Sequence, residues 1–186
     1  MAGKNTAVFG IYRDTVSLGG GLHALRNAGF RSTDVSVLMP ENAGTKDFVH
    51  QKETKAPEGA TTGAASGVVI GGVLGWLVGM GALAIPGLGP FIAAGPIMAM
   101  LAGAGAVGTF GGLVGSLIGL GVPEYEAKRY EGRVKSGGTL LSVHCDNSDW
   151  VKRAKTILEE TGAEDISSAG EAAADYATSD RPAARI

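Results

Sequence analysis

Between Gly59 and Pro123 the chain carries no Asp, Glu, Lys, Arg or His. No other feature limits its possible folds so strongly. A charge-free stretch of this length belongs in a bilayer or in the interior of an assembly. It is also unusually rich in glycine. Gly63, Gly67, Gly71, Gly75 and Gly79 recur at every fourth position. A break follows at Pro86-Gly87-Leu88-Gly89-Pro90, and a second apolar run contains Gly108, Gly111, Gly112, Gly115 and Gly119.

The lengths suit membrane spans. Ala64 to Ile85 offers 22 uncharged residues, about 33 Å of helix at 1.5 Å per residue, against a hydrocarbon core of about 30 Å. Ile97 to Gly121 offers a second span of 25 residues. Pro86, Pro90 and Pro96 would shape a turn between the spans, with Phe91–Ala94 as a short broken helix. Trp76 falls mid-span and is expected to pack rather than to anchor at an interface. Glycines four apart share one helix face and let another backbone approach closely, a main source of helix attraction in lipid. The expected packing positions are therefore Gly63, Gly67, Gly71, Gly75, Gly79, Gly108, Gly111, Gly112, Gly115 and Gly119. The competing expectation is a buried hairpin inside a soluble assembly.

The averages conceal this partition: net charge is −2, sequence pI near 5.9 and mean hydropathy +0.16. All charge lies in the flanks, with seven Lys/Arg against six Asp/Glu before Gly59 and nine against twelve after Pro123. Neither flank is basic enough for phosphate-driven nucleic-acid binding. The inter-span segment has no Lys or Arg, whereas Lys46, Lys52, Lys55, Lys128, Arg129, Arg133 and Lys135 flank the pair. Both ends are thus expected on the cytoplasmic side of the inner membrane. No secretory signal or transit peptide is apparent. One cysteine, Cys145, excludes an intrachain disulfide and fits a reducing compartment.

The flanks read as two halves of one domain. Thr6–Tyr12 is a strand, and Asp14 is placed to cap a helix over about 15–28 that ends at Gly29. Gly19-Gly20-Gly21 inside that helix costs about 1 kcal/mol per glycine relative to alanine, so tertiary packing must offset it. Asp34–Met39 is a second strand. After Pro123, a helix over 124–135 has acids first and bases last, as the helix dipole favours, with Ala127, Tyr130 and Val134 inward. Thr139–Cys145 is a strand, a helix capped from 146–148 follows to Glu160, and residues 165–167 form a last short strand. The predicted class is α+β: a ferredoxin-like split antiparallel sheet with two main helices on one face and an inserted two-helix glycine-zipper transmembrane hairpin. The expected segments are 1–40, a linker at 41–62, the hairpin at 63–122, the second half-domain at 123–168, and a disordered tail at 169–186.

Gly121-Val-Pro-Glu-Tyr-Glu-Ala-Lys-Arg-Tyr-Glu-Gly-Arg-Val-Lys-Ser-Gly-Gly-Thr-Leu-Leu-Ser-Val-His resembles a hallmark stretch of bacterial general-stress or low-temperature-induced membrane proteins. The Val8-Phe-Gly-Ile-Tyr start and the Gly162-Ala-Glu-Asp-Ile-Ser ending fit the same pattern, so the resemblance spans roughly residues 6–168. It implies a split α/β domain with a glycine-zipper hairpin and a stress-associated role, with no catalytic residues to carry over.

Few residues promise chemistry. Gly103–Gly108 spells G-x-G-x-x-G, but inside an apolar run and without the strand and acid that a dinucleotide site requires. His144 and Cys145 are neighbours on a strand and point to opposite faces, so they do not share an ion. His23 and His50 are isolated. Glu124, Glu126 and Glu131 read as a solvated helix face. No cofactor or metal is expected, and no enzymatic activity. The expected function is a stress-associated membrane protein that homo-oligomerises through its glycine-zipper helices and presents a cytoplasmic sensory or scaffolding domain. The alternatives are a small oligomeric channel or transport component and a small-molecule-binding regulator. The expected partners are the lipid bilayer and further copies of the chain.

Overall fold

A computed structural model describes residues 6–40, 76–77, 81–85, 89–95 and 113–170, with backbone alone for 81–85 and 89–91. Runs rich in Val, Ile, Leu and aromatic residues make the strands β1 (Thr6–Tyr12), β2 (Val35–Pro40) and β5 (Thr139–Cys145). They are buried almost throughout, on both faces. That explains why VFGIY, VSVLMP and TLLSV lack the strict apolar–polar alternation of a half-exposed sheet. The other strands are β3 (Gly81–Ile85), β4 (Gly89–Ala94) and β6 (Glu164–Gly170).

The six strands form one antiparallel sheet in the order β3-β4-β2-β5-β1-β6. Within it, β6-β1-β5-β2 is the order of two interlocked β-α-β units. The register places Val8 and Val35 opposite Val143, and Ile11 and Leu38 opposite Leu140.

Four helices among the described residues cover both faces: α1 (Thr15–Asn27), α2 (Leu113–Gly119), α3 (Glu124–Lys135) and α4 (Ser148–Glu160). Asp14 caps α1 by accepting from the Ser17 N–H at 2.7 Å. Asn147 caps α4, accepting from Asp149 N–H and Trp150 N–H. On one face, Leu18, Leu22 and Leu25 of α1 and Ala154 and Leu158 of α4 close over Val8, Val37, Leu141 and Val143. On the other, Leu113 and Leu117 of α2 and Ala127, Tyr130 and Val134 of α3 close over Phe9, Ile11, Leu38 and Leu140. Val16 of α1 points outward and is 67% exposed.

The glycine triplet of α1 has a packing cause at Gly21. A Cβ there would collide with the Tyr12 hydroxyl and sit 3.2 Å from Thr161 Oγ1. The Tyr12 hydroxyl hydrogen-bonds Thr161 Oγ1 at 2.7 Å in the seam between α1 and α4. The bare helix surface is what admits that bond.

The inserted transmembrane hairpin requires correction. Ile85, read as the end of a first span, ends strand β3, and Phe91–Ala94, read as a broken helix, belong to β4. The two strands pair with each other, and β4 pairs with β2, Val37 opposite Ala94 and Pro40 opposite Phe91. In the four-strand order β2 would be an edge with one row of backbone groups unpaired, and β4 satisfies that row. Short apolar runs bounded by Gly and Pro fit buried strands as well as they fit helix ends. Gly95 sets the exit from β4. Its φ is +90°, and a Cβ there would overlap the Val35 carbonyl and lie 2.6 Å from Ser36 Oγ.

Of the second expected span, only α2 is a described helix, and it has 7 residues. It stops at Leu120–Gly121, where Val122 N–H donates to Leu117 O and Gly121 takes φ +91°. No helix among the described residues is long and apolar enough to cross a membrane. The expected orientation, with both ends on the cytoplasmic side, has no support among the described residues. Trp76 and Leu77 lie in a turn against the α1–α4 core, which makes Trp76 a packing residue outside any described helix. The expected linker at 41–62 lies outside the described residues. β6 runs to Gly170, two residues into the segment expected to be the tail.

Candidate functional site

The expected glycine positions are placed unevenly. Gly63, Gly67, Gly71, Gly75, Gly79, Gly108, Gly111 and Gly112 lie outside the described residues. Gly115 and Gly119 are in α2, whose buried residues are Leu113, Ser116 and Leu117. Gly115 is half-buried, while Gly119 is exposed with open space where a Cβ would go. The G-x-G-x-x-G at 103–108 is also outside the described residues.

The His144–Cys145–Asp146 cluster follows the alternation of its strand. Cys145 is buried on the α1–α4 side, its thiol 3.6 Å from the Val143 carbonyl oxygen. His144 is half-buried and meets Asp146 Oδ1 through Nε2 at 3.2 Å. His23 Nδ1 pairs with Asn27 Nδ2 at 3.1 Å. No group of three or more His, Cys, Asp and Glu suited to a metal occurs among the described residues.

The densest constellation of polar groups lies where α3 crosses β6. The β1–β6 ladder slips between Phe9 and Ile11: Phe9 faces Ser167, but Ile11 faces Glu164. Asp165 and Ile166 thus stand against Gly10 alone, which makes a bulge that re-aims side chains at the sheet edge. Asp165 adopts φ +51°, the single positive-φ residue other than glycine among the described residues. Aspartate tolerates this region better than most residues, because its short polar side chain bonds locally. Here three residues of α3 hold it. Arg129 Nη1 reaches Oδ1 at 3.1 Å, Arg133 Nε reaches Oδ2 at 2.8 Å, and the Tyr130 hydroxyl donates to its carbonyl oxygen at 2.8 Å. Glu164 extends the network, taking Arg13 at 2.8 Å and Arg133 at 3.9 Å.

Tyr130 is the anchor. Its ring packs 6.0 Å from that of Phe9, and its hydroxyl also pairs with Ser167 Oγ at 2.7 Å. Burial pushes its pKa up to about 12; the Ser167 hydrogen bond lowers it, while the charges of Glu126 and Asp165 raise it further. On the outer side of α3, Tyr125 is 70% exposed. The Arg129 guanidinium lies 4.7 Å over the Tyr125 ring and also donates to its hydroxyl. Ile118 at the end of α2 is also exposed. Aromatic and arginine side chains presented this way dominate binding energy at protein interfaces.

The three α3 glutamates, read from sequence as one solvated face, differ. Glu124 is exposed and bound to Lys128 at 2.6 Å, a hydrogen bond that lowers its pKa. Glu131 pairs with Lys135 at 3.3 Å. Glu126 has one carboxylate oxygen buried with no hydrogen-bond partner, and so does the hydroxyl of Ser142. Buried unsatisfied groups of this kind are uncommon in folded proteins. Sequence reasoning missed Glu126 and Asp165. For Glu126 a signal existed, since it lies four residues before the inward-facing Tyr130 and shares its helix face. For Asp165 there was none, because a bulge arises from register.

Comparison with known proteins overturns the resemblance to stress proteins. A family model described as "Alternative complex III, ActD subunit" matches residues 6–168, the whole interval on which that resemblance rested. No curated protein and no solved structure matches the chain. The quoted stretch from Gly121 to His144 is a proline-started helix with acids first, a glycine stop and a strand. Those are local requirements of α3 and β5, and they do not single out one family. With the resemblance falls the stress-associated homo-oligomer built on glycine-zipper helices, together with its channel and regulator alternatives. On a match that covers both halves of the sheet and everything inserted between them, this chain belongs to the ActD family.

Proposed function

We propose that the chain is a non-catalytic subunit of a membrane-associated respiratory complex of the Alternative complex III type, and that its α/β domain serves to dock other subunits. One observation carries this reading: the family match runs over residues 6–168, so it includes all of the sheet but the last two residues of β6, all four described helices and the insertion. Membrane association then comes through partner subunits and needs no spanning helix in the described residues. The exposed Tyr125–Arg129 pair and Ile118 supply a surface of the composition that interfaces favour.

The test is to tag the chain in its own host, solubilise membranes in mild detergent and separate complexes by native electrophoresis and affinity purification. The tagged chain is expected to migrate with the respiratory complex and to be recovered with its other subunits in fixed proportion. A chain that migrates alone, with the complex intact and active without it, would refute the proposal.

A further inference from the structure

β6 ends the sheet order, so the side of it that faces away from β1 has no strand beside it among the described residues. Natural sheets guard such edges with charged side chains, proline or bulges, because a row of unpaired N–H and C=O groups is a template for another strand. Here the guard is confined to one half of the strand. Glu164 and Asp165 carry charge, the bulge, and the Arg13, Arg129 and Arg133 network. Ile166-Ser167-Ser168-Ala169-Gly170 contains neither charge nor proline. Ser168 and Gly170 are exposed, and the ladder to β1 from Ser167 to Gly170 is regular.

A second observation lies beside that half. Glu126 holds a buried carboxylate oxygen without a donor. Its charge is near enough to the Tyr130 phenol to oppose that group's ionisation, and the phenol is bonded to Ser167 of β6. The neighbouring acids do not share this condition, since Asp165 is held by two arginines and Glu124 by Lys128. A carboxylate oxygen covered without a donor leaves the half-buried Glu126 free to accept one, best a cationic one.

We infer that the edge of β6 over Ile166–Gly170 receives an extended segment from another subunit of the complex, adding a seventh strand to the sheet, with a lysine or arginine of that segment directed to Glu126. Backbone pairing supplies affinity and the side chain at Glu126 supplies selection, the division of labour seen wherever a strand is added to a sheet edge. The inference rests on the subunit role proposed above.

The test compares the full-length chain alone with the same chain in the purified complex by amide hydrogen exchange. The amides of residues 166–170 that face away from β1 are expected to exchange at least about tenfold more slowly in the complex. No added protection there, or equal protection in the isolated chain through cover by its own residues, would overturn the strand addition. Two variants sharpen the result. Ser168→Lys places a guard on the edge and is expected to cut recovery with the complex about tenfold. Glu126→Gln keeps the shape but removes the charge and is expected to cut recovery by about threefold or more. Ser168→Lys should leave the melting temperature of the isolated chain unchanged, and Glu126→Gln should leave it unchanged or raise it. Wild-type recovery of Ser168→Lys would overturn the strand, and wild-type recovery of Glu126→Gln would overturn the basic side chain. Failure of the unmodified chain to purify with the complex would be a different result, striking the subunit role itself.

Discussion

The two faces of the sheet are covered by helices in similar fashion but are built on different principles. The α1–α4 face is an apolar seam drawn tight: Gly21 lets Tyr12 reach Thr161, and Leu158 presses so closely on β1 that a Cβ at Gly10 would lie 2.9 Å from it. Its polar groups bond across the seam. The α2–α3 face has an equally buried centre in Phe9, Leu117 and Tyr130 but carries polar groups left over, in Ser142 and Glu126. It also holds the bulged edge through Asp165. The first face is closed by apolar packing and the Tyr12–Thr161 bond. The second keeps unsatisfied groups and a left-handed aspartate, the kind of cost that structures retain where they bind something.

That contrast can be broken by substitution, with chemical denaturation of the full chain as the common measurement. Leu158→Ala should have the largest effect, a loss of about 2–5 kcal/mol for a fully buried leucine in a tight seam. Gly21→Ala should cost about 1–3 kcal/mol, because the added methyl must displace the Tyr12 ring. Its neighbour Gly20 has open space at the Cβ position, so Gly20→Ala should stabilise by about 1 kcal/mol. Opposite signs at adjacent positions would establish the seam, and equal signs would refute it.

On the other face, Tyr130→Phe should cost about 1–3 kcal/mol, since Asp165 loses a donor to its carbonyl and Ser167 loses a partner. It should also change the alkaline limb of stability. The fold favours the neutral phenol, so the contribution of Tyr130 is complete below the ordinary tyrosine value near 10 and is lost as pH rises toward about 12. Tyr130→Phe should flatten that limb, leaving the part due to Tyr12, whose pKa burial also raises. An unchanged limb would remove Tyr130 from the account. The smallest effect is expected at Ser142→Ala, which deletes a buried hydroxyl without a partner and should be neutral or stabilising by up to about 1 kcal/mol. A clear loss would mean that the hydroxyl is satisfied in solution, and the difference between the faces would shrink.

Much of the outer domain was legible in the sequence because its signals are local. Asp14 before an apolar helix, Pro123 followed by acids, and Gly137-Gly138 ahead of the largely apolar run from Thr139 each act within a turn of where they stand. The insertion was misread for a physical reason. Absence of charge reports that a segment avoids water and does not report what surrounds it. For 89–94 the answer is the open edge of β2, a partner more than fifty residues earlier in the chain, and for 81–85 it is β4. Nor was the candidate site legible as a unit. Tyr125, Arg129 and Arg133 lie on one helix stripe and could be grouped, but the residue they converge on comes from β6.

The sequence alone determined that the flanks form an α+β sheet domain and where its helices begin and end. Tertiary structure decided that part of the charge-free middle extends the sheet, which glutamate of α3 is left without a donor, and that Asp165 is turned out of register into the reach of two arginines. Caps, stops and apolar periodicity are properties of neighbours in sequence. Edge pairing, register and the satisfaction of a buried carboxylate depend on groups that meet only after the chain has folded.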